Sequence, residues 1–253
     1  MPTPESKLYM LRCRLETPRL LEIGKRHRLP LQHVDTGYLV HCVLAGLFGD
    51  DAPNPFHVEG QPGRFVTVLA YGSVPEDTLR DRARAFADPG VHASLDWDSL
   101  AQKPMPVRWE VGTRVSFRLR ACPVKRMSSP GKLHRKGAEV DAFLVRCREV
   151  GPDVVVEREH VYLEWFRGQL ERRGGAKLVR GGLEAFKRVR LVRRSGGERR
   201  CAHTVERPDA LLRGLLEITD GRAFCRLLAD GIGRHRSFGY GMLLLAPASR
   251  AAC

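Results

Sequence analysis

The chain has 253 residues, 43% hydrophobic and 28% charged, with a formal net charge of +14 and a pI near 10. That apolar fraction excludes wholesale disorder and supports one large domain or two small ones. The positive excess points to nucleic acid or an anionic membrane surface as partner. No apolar run approaches the ~20 residues of a membrane span. Met1-Pro2-Thr3-Pro4-Glu5 has no basic region leading into an apolar stretch, so no signal peptide is expected, and nucleic acid is preferred. The cysteines at 13, 42, 122, 147, 201, 225 and 253 form no C-x-x-C pair and no set with histidine at metal-ligand spacing. They read as apolar fillers in a reducing cytoplasm; no disulfide framework, metal site or cofactor is expected.

Leu8 to Leu15 alternates apolar and basic residues, as a strand does. Glu16 to Gln32 reads as irregular and basic. Asp35 or Thr36 can cap a helix over Gly37 to Phe48, where Tyr38, Leu39, Cys42, Val43 and Leu47 recur at helical spacing. Phe56 to Glu59 and Phe65 to Tyr71 read as strands, Pro75 to Ala87 as a charged helix, and Val91 to Trp97 as a weaker strand. The order β-α-β-β-α is that of a ferredoxin-like domain. Lys103-Pro104-Met105-Pro106 is the expected linker. Beyond it, Thr113 to Ala121 and Val140 to Arg148 alternate as strands, and Glu159 to Arg173 carries a helical stripe of Val161, Tyr162, Trp165, Phe166 and Leu170. Leu211 to Ile218 reads as a strand, Gly221 to Ala229 as a helix and Tyr240 to Leu245 as the last strand. The expected fold is α+β, two ferredoxin-like (RRM-like) folds in tandem, residues 1–105 and 106–253, with a basic insertion in the second.

That insertion, residues 174–205, holds the densest charge. Between Arg167 and Arg200 stand twelve Lys/Arg against three Glu, over half the chain's excess. Val189, Leu191 and Val192 alternate with Arg188, Arg190, Arg193 and Arg194, and Ser195-Gly196-Gly197-Glu198 suits a hairpin turn. A basic hairpin of this kind can follow the phosphates of an RNA groove. Near the C-terminus Gly231-Ile232-Gly233-Arg234-His235-Arg236-Ser237-Phe238-Gly239-Tyr240-Gly241 sets two arginines and a histidine among four glycines. Glycine lets backbone approach a ligand, and arginine forks match phosphate oxygens. Phe238 and Tyr240 are expected to pack into the core.

This loop, G-I-G-x-x-x-S-x-G-x-G-M-L, resembles the C-terminal glycine-rich loop of the CRISPR repeat-RNA endoribonucleases of the CasE type. Tyr38-Leu39-Val40-His41-Cys42-Val43-Leu44-Ala45-Gly46-Leu47-Phe48 resembles the family's Y-x-x-H-x-x-L-x-x-L-F helix. Phe56-His57-Val58-Glu59 is similar to its F-H-V-E strand, and Val115 to Lys125 to its F-x-L-x-A-N-P-x-K strand. The chain departs from the pattern at Cys122, where the family carries asparagine, and in the length of 16–32 and 174–200. These departures leave open a divergent type, such as the processing subunit of a type IV (Csf-type) system. The resemblance implies a protein of the prokaryotic cytoplasm that clasps the hairpin of CRISPR repeat RNA and cuts at its 3′ base without metal. The product stays bound as part of an effector ribonucleoprotein.

Metal-free cleavage needs a base for the 2′-OH, donors for the phosphorane oxygens and a proton for the leaving 5′-oxygen. The resemblance assigns His41 and Tyr38, on one helix face, as catalytic. A lone helix histidine is otherwise a structural residue. The cations expected on RNA are Arg26, Arg28, Arg118, Arg120, Lys125, Arg126, Lys187, Arg188, Arg190, Arg193, Arg194, Arg234, His235 and Arg236, with Gly231, Gly233, Gly239 and Gly241 shaping the loop. A catalytically silent subunit that caps guide RNA is the alternative.

Overall fold

The computed structural model describes residues 7–27, 29, 35–60, 63–130, 134–194 and 202–248, except the side chains of 192–194 and 202–204. The first sheet forms around β1 (Tyr9–Glu16), whose alternation puts Leu11, Cys13 and Leu15 on one buried face. Residues 16–32, expected to be irregular, contain a helix instead, α1 (Thr17–Arg26). Pro18 sits in its first turn, and Leu20, Ile23 and Gly24 bury one face. The basic residues between them disguised that short period. Asp35, rather than Thr36, caps α2 (Thr36–Phe48) by accepting a 2.8 Å hydrogen bond from the Gly37 N–H.

Strands β2 (Phe56–Glu59) and β3 (Phe65–Gly72) and helix α3 (Glu76–Phe86) fall where the sequence places them. The strand expected from Val91 begins later. Asp88 caps a one-turn helix, α4 (Pro89–His92), and β4 (Leu95–Pro104) follows. Lys103 and Pro104, expected in a linker, end that strand; β4 is a sheet edge, where proline costs no ladder bond. The strand order is β2-β3-β1-β4, all antiparallel.

The second half repeats this topology. It comprises β5 (Arg114–Ala121), β6 (Val124–Arg126), β7 (Glu139–Asp141), α5 (Ala142–Val150), α6 (Arg158–Arg173), β8 (Ala176–Arg194), β9 (Ala202–Ile218), α7 (Gly221–Asp230) and β10 (Leu243–Pro247). Its sheet runs β10-β5-β9-β8, and β6 and β7 form a separate two-stranded ladder. The fold is therefore α+β with two ferredoxin-like units, as expected. Residues 140–148 are a correction: only the start is strand, and α5 begins where the Asp141 carboxylate accepts from the Phe143 N–H. Val140, Ala142 and Leu144 imitate period two, but the capping aspartate decides. The last strand starts at Leu243, not Tyr240, because Gly239 and Gly241 both have positive φ.

The described residues of the 174–205 segment supply β8 and the start of β9, grown long. β8 pairs with β9 from Ala176↔Ile218 to Arg194↔Ala202, whereas β9 pairs with β5 only over Ala210–Glu217. Lys187–Arg194 and Ala202–Asp209 therefore leave the sheet as a two-stranded arm. The expected turn at Ser195-Gly196-Gly197-Glu198 lies outside the described residues. No helix among the described residues is long and apolar enough to cross a membrane.

The two sheets meet through β3. Leu69 and Tyr71 leave the first core, formed by α2, β1 and β3, to join the second, where Phe117, Phe166 and Leu212 are buried. The Tyr71 hydroxyl donates a 2.9 Å hydrogen bond to the Leu243 carbonyl. Burial pushes that phenol's pKa upward, so it stays a donor. Tyr71→Phe should lower the unfolding free energy by about 1 kcal/mol, the usual net worth of one such bond, in denaturant titrations.

Candidate functional site

The site begins with an approach that only glycine allows. A Cβ at Gly37 would lie 2.2 Å from the Phe238 carbonyl oxygen, so the first turn of α2 rests directly on the glycine-rich loop. That contact places Tyr38 over the loop. Its ring stacks on Phe238 with centroids 5.2 Å apart and lies 6.2 Å from the His41 ring. The loop is seated from below as well. Gly233 has φ of +78°, and a Cβ there would come within 2.9 Å of Trp165.

Between α2 and the loop lies a cavity of about 530 Å³, walled by Tyr38, Asn54 and residues 233–238. His41 is half-buried beside Tyr38 and is not part of that wall. Burial lowers its pKa, so its imidazole is neutral and able to accept a proton at neutral pH. His57 is also neutral: burial, then the charges of Arg120 and Arg118, bring it down to about 4.

Arg120 is held inside. Its Nε and Nη2 each donate to Asp209 at 2.9 Å, and Nη2 also reaches Asp35 at 3.3 Å. Nη1 donates to the Phe238 carbonyl, and the guanidinium lies 4.3 Å from the Tyr240 ring centroid. Its expected place on RNA is therefore corrected: one side chain ties the α2 cap, β9 and the glycine loop together. His235 is corrected in the same way. It is buried and hydrogen-bonds Glu139 at 2.9 Å. Arg234 and Arg207 bind the same carboxylate at 2.5 and 3.1 Å. The bond from His235, with Arg234 beside it, holds the Glu139 carboxyl well below the usual range although burial opposes this.

Exposed cations occupy the rest of the expected set. Arg118 pairs with Glu184, Lys125 with Glu149 and Arg26 with Asp88, while Arg236 donates to the Asp230 carbonyl. Arg126 is exposed. On the arm, Arg188 and Arg190 share Glu206, and Lys187 approaches Asp209 at 3.8 Å. Leu191, on the other face, is wholly buried against Cys122, Val124, Phe238 and Tyr240, with Val189 and Tyr38 packed alongside. This small core fastens the arm to the loop and to α2. Arg28 lies outside the described residues, and so do the side chains of Arg193 and Arg194. Gly37, Glu139 and Asp209 were missed as site residues, since their roles depend on contacts across 89 to 201 positions of chain. Among the described residues no three His, Cys, Asp or Glu gather to hold a metal.

A family model described as CRISPR associated protein matches residues 8–247. The fold is similar to that of the CRISPR endoribonuclease Cse3 bound to a 19-nucleotide RNA: 20% identity, TM-score 0.64, covering 95% of this chain and 100% of that one. It is also similar to Cas6e from Escherichia coli K-12 (21%, TM-score 0.53, 94% and 99%). A chain of a CRISPR RNA-guided surveillance complex is similar at 18% identity, TM-score 0.55, with 94% and 99% covered. None of the curated proteins matches the sequence.

Removing the central guanidinium leaves buried Asp209 with only the Lys187 ammonium 3.8 Å away, and part-buried Asp35 without a cation. Arg120→Ala should therefore destabilise the fold by about 3–5 kcal/mol, read by chemical denaturation.

Proposed function

The chain belongs to the CRISPR-associated protein family, and we propose on that premise that it is a metal-independent endoribonuclease of repeat RNA. It binds the repeat hairpin, cuts the precursor at the hairpin's 3′ base, and keeps the mature guide as part of an effector ribonucleoprotein in the cytoplasm. One observation supports this reading above the others. Tyr38, the glycine-rich loop and the basic arm, far apart in sequence, converge on one small core beside an open cavity. The RNA held by similar folds supports it too.

The chemistry follows from the side chains. The 2′-oxygen attacks the adjacent phosphorus, the bond from phosphorus to the 5′-oxygen breaks, and a cyclic phosphate and a 5′-OH result. Tyr38, in the cavity wall, positions the phosphate or the 2′-OH. Neutral His41, on the same helix face, takes the 2′ proton; its protonated form can return one to the leaving oxygen. Arg234 and loop N–H groups meet the charge that develops on the phosphorane. Incubation with repeat hairpins in EDTA, with both product ends mapped, tests the reading. A 5′-phosphate product, or dependence on magnesium, refutes it.

His41→Ala should slow cleavage by roughly 10²–10⁴, the worth of a positioned acid–base group, with hairpin affinity retained. The wild-type rate should rise with pH through a value below 6.5, because burial lowers the His41 pKa, then level off as the neutral base is fully formed. The position of His41 outside the cavity wall favours one second reading, a silent RNA-capping subunit. Absence of any cleavage by the wild type, with tight hairpin binding, would select it.

The arm supplies affinity. Lys187, Arg188 and Arg190 are largely exposed, and surface ion pairs such as those to Glu206 are worth little, so phosphates can replace them. Substituting all three by alanine should flatten the log–log salt dependence of hairpin binding by about 2–3, near 0.9 per lost phosphate contact. The unfolding temperature should stay within a degree or two, roughly what loss of exposed pairs predicts.

A further inference from the structure

A second groove adjoins the Tyr38 cavity and is larger, about 690 Å³. It runs between β6, α5 and α6. Its walls carry Lys125, Arg126, Arg146, Arg172, Arg173 and Arg234, against a single carboxylate, Glu164. Glu164 is itself 3.1 Å from His160. Arg234 is held by Glu139, but the other cations are weakly committed. Lys125 and Arg146 share the exposed Glu149 at 3.6 and 3.5 Å, and Arg173 meets the exposed Asp230 at 3.3 Å. Arg126 and Arg172, both exposed, have no carboxylate partner among the described residues. Such a concentration of like charge is costly without an anion to share it.

Two features identify the anion. Gly233 and Arg234 line both this groove and the Tyr38 cavity, so the two spaces meet at the glycine-rich loop. A strand crossing the cavity can therefore pass over Gly233 and Arg234 into the groove. The groove is also too small for a duplex, and its one aromatic wall residue, Trp165, is only 8% exposed, with its indole N–H on the Val124 carbonyl. Base stacking, the usual source of preference in single-strand sites, is thereby denied, and only the sugar–phosphate backbone remains to be held.

We propose that this groove binds the phosphate backbone of the single-stranded RNA that leaves the base of the hairpin, irrespective of its sequence. The proposal rests on the hairpin-binding reading given above. It adds a site on α5 and α6, with Arg146 and Arg172 as phosphate ligands, separate from the arm that meets the duplex.

The test measures binding of a repeat hairpin carrying a 2′-deoxy block at the cut. The RNA is supplied bare, with ten mixed-sequence nucleotides on its 5′ side, or with ten on its 3′ side. The wild type should bind one extended form more tightly than the bare hairpin; which form does so identifies the strand. Arg146→Ala with Arg172→Ala should remove that gain, roughly tenfold, flatten the salt slope for the extended RNA by about 1.4 at 0.7 per single-strand contact, and leave the bare hairpin unaffected. Changing the extension's sequence should not matter. An extension gain that persists in the double variant overturns the proposal, and so does a gain that depends on sequence. Binding of poly-glutamate by the wild type that the double variant loses, without any RNA extension effect, assigns the groove to an acidic protein segment instead and also overturns it. If no hairpin binds but the other measurements are sound, the functional reading falls and takes this one with it. Thermal unfolding of the double variant, expected to match the wild type because both side chains are exposed, guards against a folding artefact.

Discussion

The Arg120 guanidinium is the joint on which the site depends. It sits on β5 of the second unit yet grips Asp35, the cap of α2 in the first, as well as Asp209 at the root of the arm and the Phe238 carbonyl in the glycine-rich loop. Asp209 is only 5% exposed, so its charge would be costly without this partner. Asp35 does two things at once: it satisfies the first N–H groups of α2 and anchors that helix end to the second sheet. The position of Tyr38 is therefore set by electrostatics between units as much as by the helix that carries it.

Around that joint the backbone had to come unusually close. Gly37 against Phe238 and Gly233 against Trp165 leave no room for a side chain, and both bring the loop flush with a neighbouring element. Leu191 then closes the assembly by packing the arm on Phe238 and Tyr240. The consequence is a division of labour between two faces of one strand. The apolar face of β8 is spent on fastening, while Arg188 and Arg190 on the other hold only the exposed Glu206. The Glu139 cluster extends the same logic, using one carboxylate to hold Arg207 of the arm against Arg234 and His235 of the loop.

Tethering of this kind explains why a strongly basic protein does not repel itself apart. The cations nearest the centre, Arg120 and Arg207, are neutralised by buried carboxylates, and those on the arm and along the α5–α6 groove are exposed and paired, where they are paired, mostly to exposed carboxylates. Charge that must hold the fold is thus kept distinct from charge available to a ligand.

Much of this was legible in the sequence, because it depends on local periodicity. The alternation in β1 and β5, the helical stripes of α2 and α6 and the β-α-β-β-α order of the first half pointed to the fold class. The density of arginine between 167 and 200 gave the arm, and the glycine spacing gave the loop. Local pattern failed where two periods compete: α1 was hidden among charges, and α5 imitates a strand until Asp141 caps it. It failed more deeply for the side chains that change role on folding. Arg120 and His235 look like their neighbours Arg118 and Arg236 in the sequence, and nothing local says that they face inward. Only tertiary packing decides that, since their carboxylate partners, Asp35, Asp209 and Glu139, lie 85 to 96 residues away along the chain. What the sequence alone determined was the inventory of strands, helices and excess positive charge. The tertiary structure decided which of those charges are neutralised inside and which stay at the surface, because burial and long-range pairing, unlike periodicity, are properties of the folded whole.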